Sequence, residues 1–274
     1  MESLANPGGV IVDLEAIAKI AQEAEVPLIV DNTMATPWLC RPFEWGADLV
    51  VHSTTKFLSG QGNAMGGIVI DSGRFPWFGN AKYPSLSEPS PDYNGLTFAE
   101  TFGDLAFTLY SHAVSLRDLG CTQSPMNAWI TLNGVETLPL RMERHVENAQ
   151  KVAGFLQQHP SVEWVSYAGL SSSPYYQLAQ KYLQGKAGSV FTFGIRGGYE
   201  SGLRLLEKVE LFSHVSNIGD SRSLILHPAS TTHRQLSDEQ RLTAGAGPEV
   251  IRLSVGIESA EDLIADLEQA LEGL

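Results

Sequence analysis

The sequence predicts an α/β protein, with a mostly parallel sheet and its helices first and a smaller α+β domain after it. Three observations lead there. Unbroken apolar runs stop abruptly at polar residues, as in Leu28-Ile29-Val30-Asp31 and Leu49-Val50-Val51-His52. Those runs alternate with segments whose apolar residues recur at helical spacing. No stretch approaches the ~18 consecutive apolar residues of a membrane span.

In chain order, Asp13 to Glu25 carries Leu14, Ile17, Ala18, Ala21 and Ala24 at helical spacing, with Asp13 placed to cap. Val26–Val30, Ala47–Val51 and Gly67–Asp71 read as strands buried on both faces, because an apolar run without alternation leaves no wet side. From Gly73 to Pro125 the composition shifts toward Pro, Ser, Tyr, Trp and Gly. That stretch reads as a surface loop, of the long kind that more often carries function than not. Glu136 to His159 reads as one amphipathic helix, with Leu138, Met142, His145, Ala149, Val152 and Leu156 on its apolar side. Strands at Val162–Tyr167, Ser189–Ile195 and Val250–Val255 then interleave with helices near Tyr175–Leu183, Tyr199–Val209 and Ala260–Leu271. The expected organisation is a sheet-bearing part at 1–75, a loop-rich connection at 76–134 and an α+β domain at 135–274.

The 274 residues include 18 Lys and Arg against 31 Asp and Glu, a net charge of −13. So acidic a surface repels phosphate polymers and anionic lipid, which argues against nucleic acid and membrane as partners. An anionic ligand would need local cations or backbone amides to overcome the global field. Cys40 and Cys121 are isolated thiols in apolar settings. They read as small buried hydrophobes in a reducing cytoplasm, not as disulfide partners or zinc ligands. The first nine residues have neither the basic nor the apolar region of a secretion signal. His145 stands alone on its helix and reads as a core or surface residue, and without any HxxxH or HxH pair no metal is expected.

Ligands of an open α/β sheet gather at the carboxyl ends of its strands, and two such ends here carry chemistry. Ser53-Thr54-Thr55-Lys56 sets an amine beside hydroxyls suited to a phosphate, so Lys56 is placed to form a Schiff base. The plainer alternative is a capping cluster followed by a solvated lysine. Asp31 closes the preceding strand, where a carboxylate is costly unless it meets a cation such as a protonated pyridine nitrogen. Its plainer alternative is to accept from the amides of Asn32-Thr33. An acid and a Schiff-base lysine in one crevice together describe a pyridoxal phosphate site.

Several segments carry a further resemblance. Glu2-Ser3-Leu4-Ala5-Asn6-Pro7, Val30-Asp31-Asn32-Thr33 and His52-Ser53-Thr54-Thr55-Lys56 resemble signature segments of the transsulfuration, or Cys/Met metabolism, family of pyridoxal phosphate enzymes. So do Ser124-Pro125-Met126-Asn127-Ala128, Gly134-Val135-Glu136-Thr137-Leu138, His227–His233 and Ile251-Arg252-Leu253-Ser254-Val255-Gly256. Within the family, Tyr93-Asn94-Gly95-Leu96, Arg117-Asp118-Leu119-Gly120, Leu138–His145 and Asn217–Leu224 are most similar to the O-acetylhomoserine sulfhydrylase (homocysteine synthase) branch. Lyases and cystathionine synthases generally have Ser where this chain has Asn217.

The resemblance implies the C-terminal part of a fold-type-I major domain, followed by the small C-terminal domain. It implies that Lys56 carries the cofactor, that Asp31 meets the ring nitrogen, that Ser53 and Thr55 bind the phosphate, and that Thr33 and Asn6 lie at the ring and its 3′-oxygen. Arg252 would grip the substrate carboxylate with help from Asn217, although on residues alone Arg252 could equally be a structural ion pair. The implied reaction is γ-replacement, turning O-acetylhomoserine and sulfide into homocysteine and acetate. A γ-lyase of the same family is the alternative, and a catalytically incompetent remnant that only associates with a partner is a second. The family also implies a homo-oligomer, a dimer of dimers. Its N-terminal third supplies a Gly-rich phosphate turn, a ring-stacking aromatic residue and a Tyr/Arg pair, none of which is found here, so the expectation is an N-terminally truncated form.

Overall fold

The computed structural model describes residues 1–7 and 9–274. Helix α1 spans Leu14–Glu23, and Asp13 caps it by accepting from the amide of Ala16 at 3.2 Å. Strands β1 (Ile29–Asp31), β2 (Leu49–Ser53) and β3 (Gly67–Asp71) form a sheet in that order. β1 and β2 are parallel, with Val30 opposite Val50, whereas β3 runs antiparallel to β2. The expectation of burial on both faces holds for β2 but not for β1, where Ile29 is 45% exposed, nor for β3, where Ile68, Val69 and Ile70 are 45%, 57% and 38% exposed. A short apolar run states what a strand can bury; whether a layer covers it depends on the rest of the chain.

The stretch after β3 corrects the reading as a surface loop. Short helices at Phe98–Phe102, Ala106–Tyr110 and Ser111–Leu116 close around a separate apolar core of Phe75, Trp77, Leu86, Phe98, Ala99 and Ala106. Trp77 stacks on Phe107 with ring centroids 5.6 Å apart. Aromatic side chains bury large apolar areas, and here they outweigh the Pro and Ser that signalled a loop. The helix expected over Glu136–His159 is present as α3 (Leu138–Gln158), and a further helix that the loop reading missed, α2 (Pro125–Glu136), precedes it. Thr137 separates them, and Pro139 enters at the first turn of α3, where its missing amide costs no hydrogen bond.

The remaining strands are β4 (Val162–Ser166), β5 (Val190–Ile195), β6 (Ser213–His214), β7 (Leu224–Leu226) and β8 (Val250–Ser254). They form a second sheet in the order β4-β5-β8-β7-β6. Every residue of β5 is buried. Helices α4 (Tyr176–Tyr182), α5 (Gly198–Lys208) and α6 (Ala260–Leu271) accompany this sheet. One continuous apolar cluster joins Val30 and Val50 of the first sheet to Met142 and Leu156 of α3 and to Phe193 and Ile251 of the second.

His145 lies wholly inside that cluster with Nδ1 2.7 Å from the carbonyl of Val255, and burial lowers its pKa to about 4, so the ring is neutral. Cys40 is buried as expected, its thiol pushed up to about 12 chiefly by desolvation. Cys121 is instead exposed. It follows Gly120, whose φ of 69° ends the helical run and turns the chain outward. Among the described residues no helix is long and apolar enough to cross a membrane.

Candidate active site

The carboxyl ends of β1 and β2 lie side by side because the two strands are parallel and in register, Asp31 opposite Val51. The loop after β1 folds back on the next strand end, where the Thr33 hydroxyl accepts from the amide of Ser53 at 2.8 Å. The Asp31 carboxylate accepts from the amide of Thr33 at 2.9 Å through Oδ1. The plainer alternative for Asp31 thus accounts for one of its oxygens. No bond to the other is recorded among the described residues.

Lys56 sits in a single wide turn, Thr54–Leu58, and breaks it with φ −89° and ψ −130°. The turn is held by bonds from Ser59 N to Thr54 O at 3.1 Å and from Gly60 N to Lys56 O at 2.8 Å. On its other side Gly66 pins the hydroxyl-bearing residues: its carbonyl accepts from Thr54 N at 3.0 Å, and its amide donates to the Thr55 hydroxyl at 3.1 Å. The Thr55 hydroxyl donates back to Gly66 O over a longer 3.3 Å. Gly66 did not figure among the candidate residues. Its signal is the spacing of glycines in Gly60-Gln61-Gly62-Asn63-Ala64-Met65-Gly66-Gly67.

The second sheet supplies the rest of the crevice. The Lys56 amine donates to the side-chain oxygen of Asn217. The carbonyl of the same Asn217 accepts from Arg252 Nη2 at 3.2 Å, and Arg252 Nη1 donates to the side chain of Asn6 at 3.3 Å. Among the described residues Arg252 forms no ion pair, so the reading of it as a structural salt bridge has no partner to rest on. Asn6, Lys56, Asn217 and Arg252 therefore form one connected group, although they come from four separate parts of the sequence. Asp31, Thr33 and Ser53 form a second group, joined to the first through the Lys56 turn.

Burial lowers the pKa of the half-buried Lys56 amine, and the Arg252 guanidinium lowers it further. Burial also disfavours the charge on Arg252. An amine biased toward its neutral form can act as a nucleophile and as a proton carrier. The donor set suits pyridoxal phosphate: an amine for its aldehyde, a carboxylate for its ring nitrogen, and the hydroxyls of Ser53 and Thr55 for its phosphate. The buried hydroxyl of Thr54 and the Nδ1 of buried His52, neither with a hydrogen-bond partner among the described residues, mark the same strand end as polar beyond what the fold itself satisfies.

This architecture and donor set define a class, and sequence comparison agrees: the chain belongs to the Cys/Met metabolism PLP-dependent enzyme family, which matches residues 1–272. Particular relatives include the O-acetyl-L-homoserine sulfhydrylase of Leptospira meyeri, 50% identical over 282 aligned positions that take in 100% of this chain and 64% of the relative. Homocysteine synthase of Schizosaccharomyces pombe is 46% identical across 99% of this chain and 64% of its own length. Among solved structures, one from Campylobacter jejuni described as an O-acetylhomoserine (thiol)-lyase superposes with a TM-score of 0.95 at 43% identity, over 100% of this chain and 65% of its own. That protein carries a pyridoxyl-lysine phosphate. The chain thus spans just under two thirds of the length of these relatives.

Proposed function

We propose that this chain contributes the lysine-bearing crevice of an enzyme that replaces the γ-substituent of an O-acylated homoserine with sulfide, yielding homocysteine and a carboxylate such as acetate. The observation that carries the reading is the bridging of Lys56 and Arg252 by one residue, Asn217, through its side chain and its carbonyl. An amino-acid substrate needs its α-carbon beside a base and its carboxylate beside a cation, and this arrangement provides both.

Pyridoxal phosphate, when bound, supplies an electron sink next to the substrate α-carbon. Lys56 would hold it covalently, Asp31 would keep its ring nitrogen charged, Ser53 and Thr55 would bind its phosphate, and Thr33 and Asn6 would border the ring. The 3.3 Å donation from Thr55 to Gly66 O is the weaker of that hydroxyl's two bonds, so its proton can be redirected to a phosphate oxygen while Gly66 N keeps the rotamer.

Arg252 would take the substrate carboxylate in a bidentate pair, turning from Asn6 and the Asn217 carbonyl to do so. Protons must leave the α- and then the β-carbon before acetate can leave the γ-carbon. The Lys56 amine carries both, helped by the burial and the neighbouring guanidinium that lower its pKa. Sulfide then takes the place of acetate, and Lys56 returns the protons.

The test is borohydride reduction of the protein mixed with pyridoxal phosphate, with the pyridoxylated peptide located by mass spectrometry and product formation followed from O-acetylhomoserine plus sulfide. The expected result is labelling at Lys56, none in Lys56→Ala, and homocysteine as product. Ammonia release in place of homocysteine would transfer the assignment to a γ-lyase. Absence of label at Lys56 would leave a non-catalytic association partner.

A further inference from the structure

The segment Gly134 to His145 contains a cation that the proposed reaction does not use. Arg141 lies in the first turn of α3. Its Nη1 donates to the carbonyl of Phe57 at 2.8 Å, and its Nη2 donates to the carbonyls of Leu58 at 3.4 Å and Gly134 at 2.7 Å. Its Nε donates to the Thr137 hydroxyl at 3.1 Å. No carboxylate pairs with it among the described residues, and burial alone disfavours its charge. A half-buried guanidinium satisfied by three main-chain carbonyls and no acid is costly, so the geometry it imposes is its return.

Two of those carbonyls belong to the residues that follow Lys56. The space around them is closed: a Cβ on Gly60 would lie 2.5 Å from Arg141 Nη1, and one on Gly134 would lie 2.6 Å from the Ser59 carbonyl. Gly134 lets α2 press its backbone against the Lys56 turn, and Arg141 fills the corner between them. Outward of this corner lies a cavity of about 410 Å³ bordered by Ser59, Trp129, Asn133 and Arg141 itself.

We infer that Arg141 is a positioning residue for Lys56: by holding the carbonyls of Phe57 and Leu58 from α3, it fixes the non-helical kink at Lys56 and hence where the amine lies. This rests on the reading of Lys56 as the cofactor-bearing lysine, and the experiment separates the two.

Arg141→Met keeps the apolar stem and removes every donor, whereas Arg141→Lys restores a cation able to reach one carbonyl. Amide hydrogen exchange is measured at Ser59 and Gly60, whose amides close the turn, together with borohydride-trapped pyridoxal phosphate on Lys56. In Arg141→Met, exchange at Ser59 and Gly60 rises about tenfold or more while β5 amides keep wild-type protection. Trapping at Lys56 falls about tenfold, Arg141→Lys recovers part of it, and kcat falls with the KM for the amino acid nearly unchanged. Thr137→Val, which removes the hydroxyl that accepts from Arg141 Nε and donates to the Gly134 carbonyl at 3.2 Å, moves the same readouts the same way by roughly threefold, and it decides the matter if Arg141→Met does not fold. Unchanged exchange at Ser59 and Gly60 with unchanged trapping overturns the inference. Wild-type protein that takes no label at Lys56 overturns the functional reading instead, and the exchange comparison still judges the clamp.

Discussion

The two sheets are covered to very different degrees. β5 has no exposed residue, and its neighbours β4 and β8 flank it on both edges, whereas β3 leaves three consecutive apolar residues open to solvent. Yet the chemical groups split the other way. The first, thinly covered sheet carries Asp31, Ser53, Thr55 and Lys56, and the second sends Asn217 and Arg252 across to meet them. The well-packed sheet thus sets the geometry of a crevice whose reactive groups sit on the weaker one, an arrangement in which rigid elements support a site built at strand ends.

The largest effect expected of that contrast is in the centre of β5. Phe193→Ala there should cost about 3–5 kcal/mol in urea unfolding, through lost burial and the cavity left behind. Much less would mean that the second sheet collapses around the gap and is not the rigid partner. Next comes the link between the sheets. Arg252→Ala should lower kcat/KM by roughly 2–4 kcal/mol, on the order of 30- to 1000-fold, while pyridoxylation of Lys56 persists. Equal loss of both would make Arg252 a structural residue of its own sheet.

The acid response of α3, whose buried side belongs to the apolar cluster shared by both sheets, is smaller. His145 has a folded pKa of about 4 against 6.5 for an ordinary histidine. Below pH 6.5 the unfolded chain takes up a proton that the folded ring refuses, so this contribution is complete above pH 6.5 and is lost as pH falls toward 4. Between pH 7 and pH 5 the loss should be about 2 kcal/mol in unfolding free energy, and His145→Asn should flatten that part of the profile. Smallest is the open edge: Val69→Ala should change stability by less than about 0.5 kcal/mol. A cost near that of Phe193→Ala would show that β3 is covered in solution by further polypeptide.

Much of this was legible in the sequence, unevenly. Asp13 as a cap, the apolar side of α3 and the strand near Val250 follow from periodicity and local hydrogen-bond chemistry, which act over a few residues. The exposure of β3, the aromatic core of Phe75, Trp77 and Phe98, and the exposure of Cys121 do not. Burial of an apolar run is decided by what the remainder of the chain lays against it, and no local pattern records that. β6 and β7, at two and three residues, are too short to show a period at all.

The site divides along the same line. By itself the sequence determined the chemical kinds present: an amine after hydroxyls, a carboxylate ending a strand, an arginine within another, and the family these segments resemble. Only the tertiary structure decided that the Lys56 amine and the Arg252 guanidinium meet on one asparagine, and that Arg141 grips the carbonyls behind the lysine. Those contacts span 161, 35 and 84 positions of chain. Loop closure over such lengths is settled by the packing of whole sheets and helices, not by any residue's local preference.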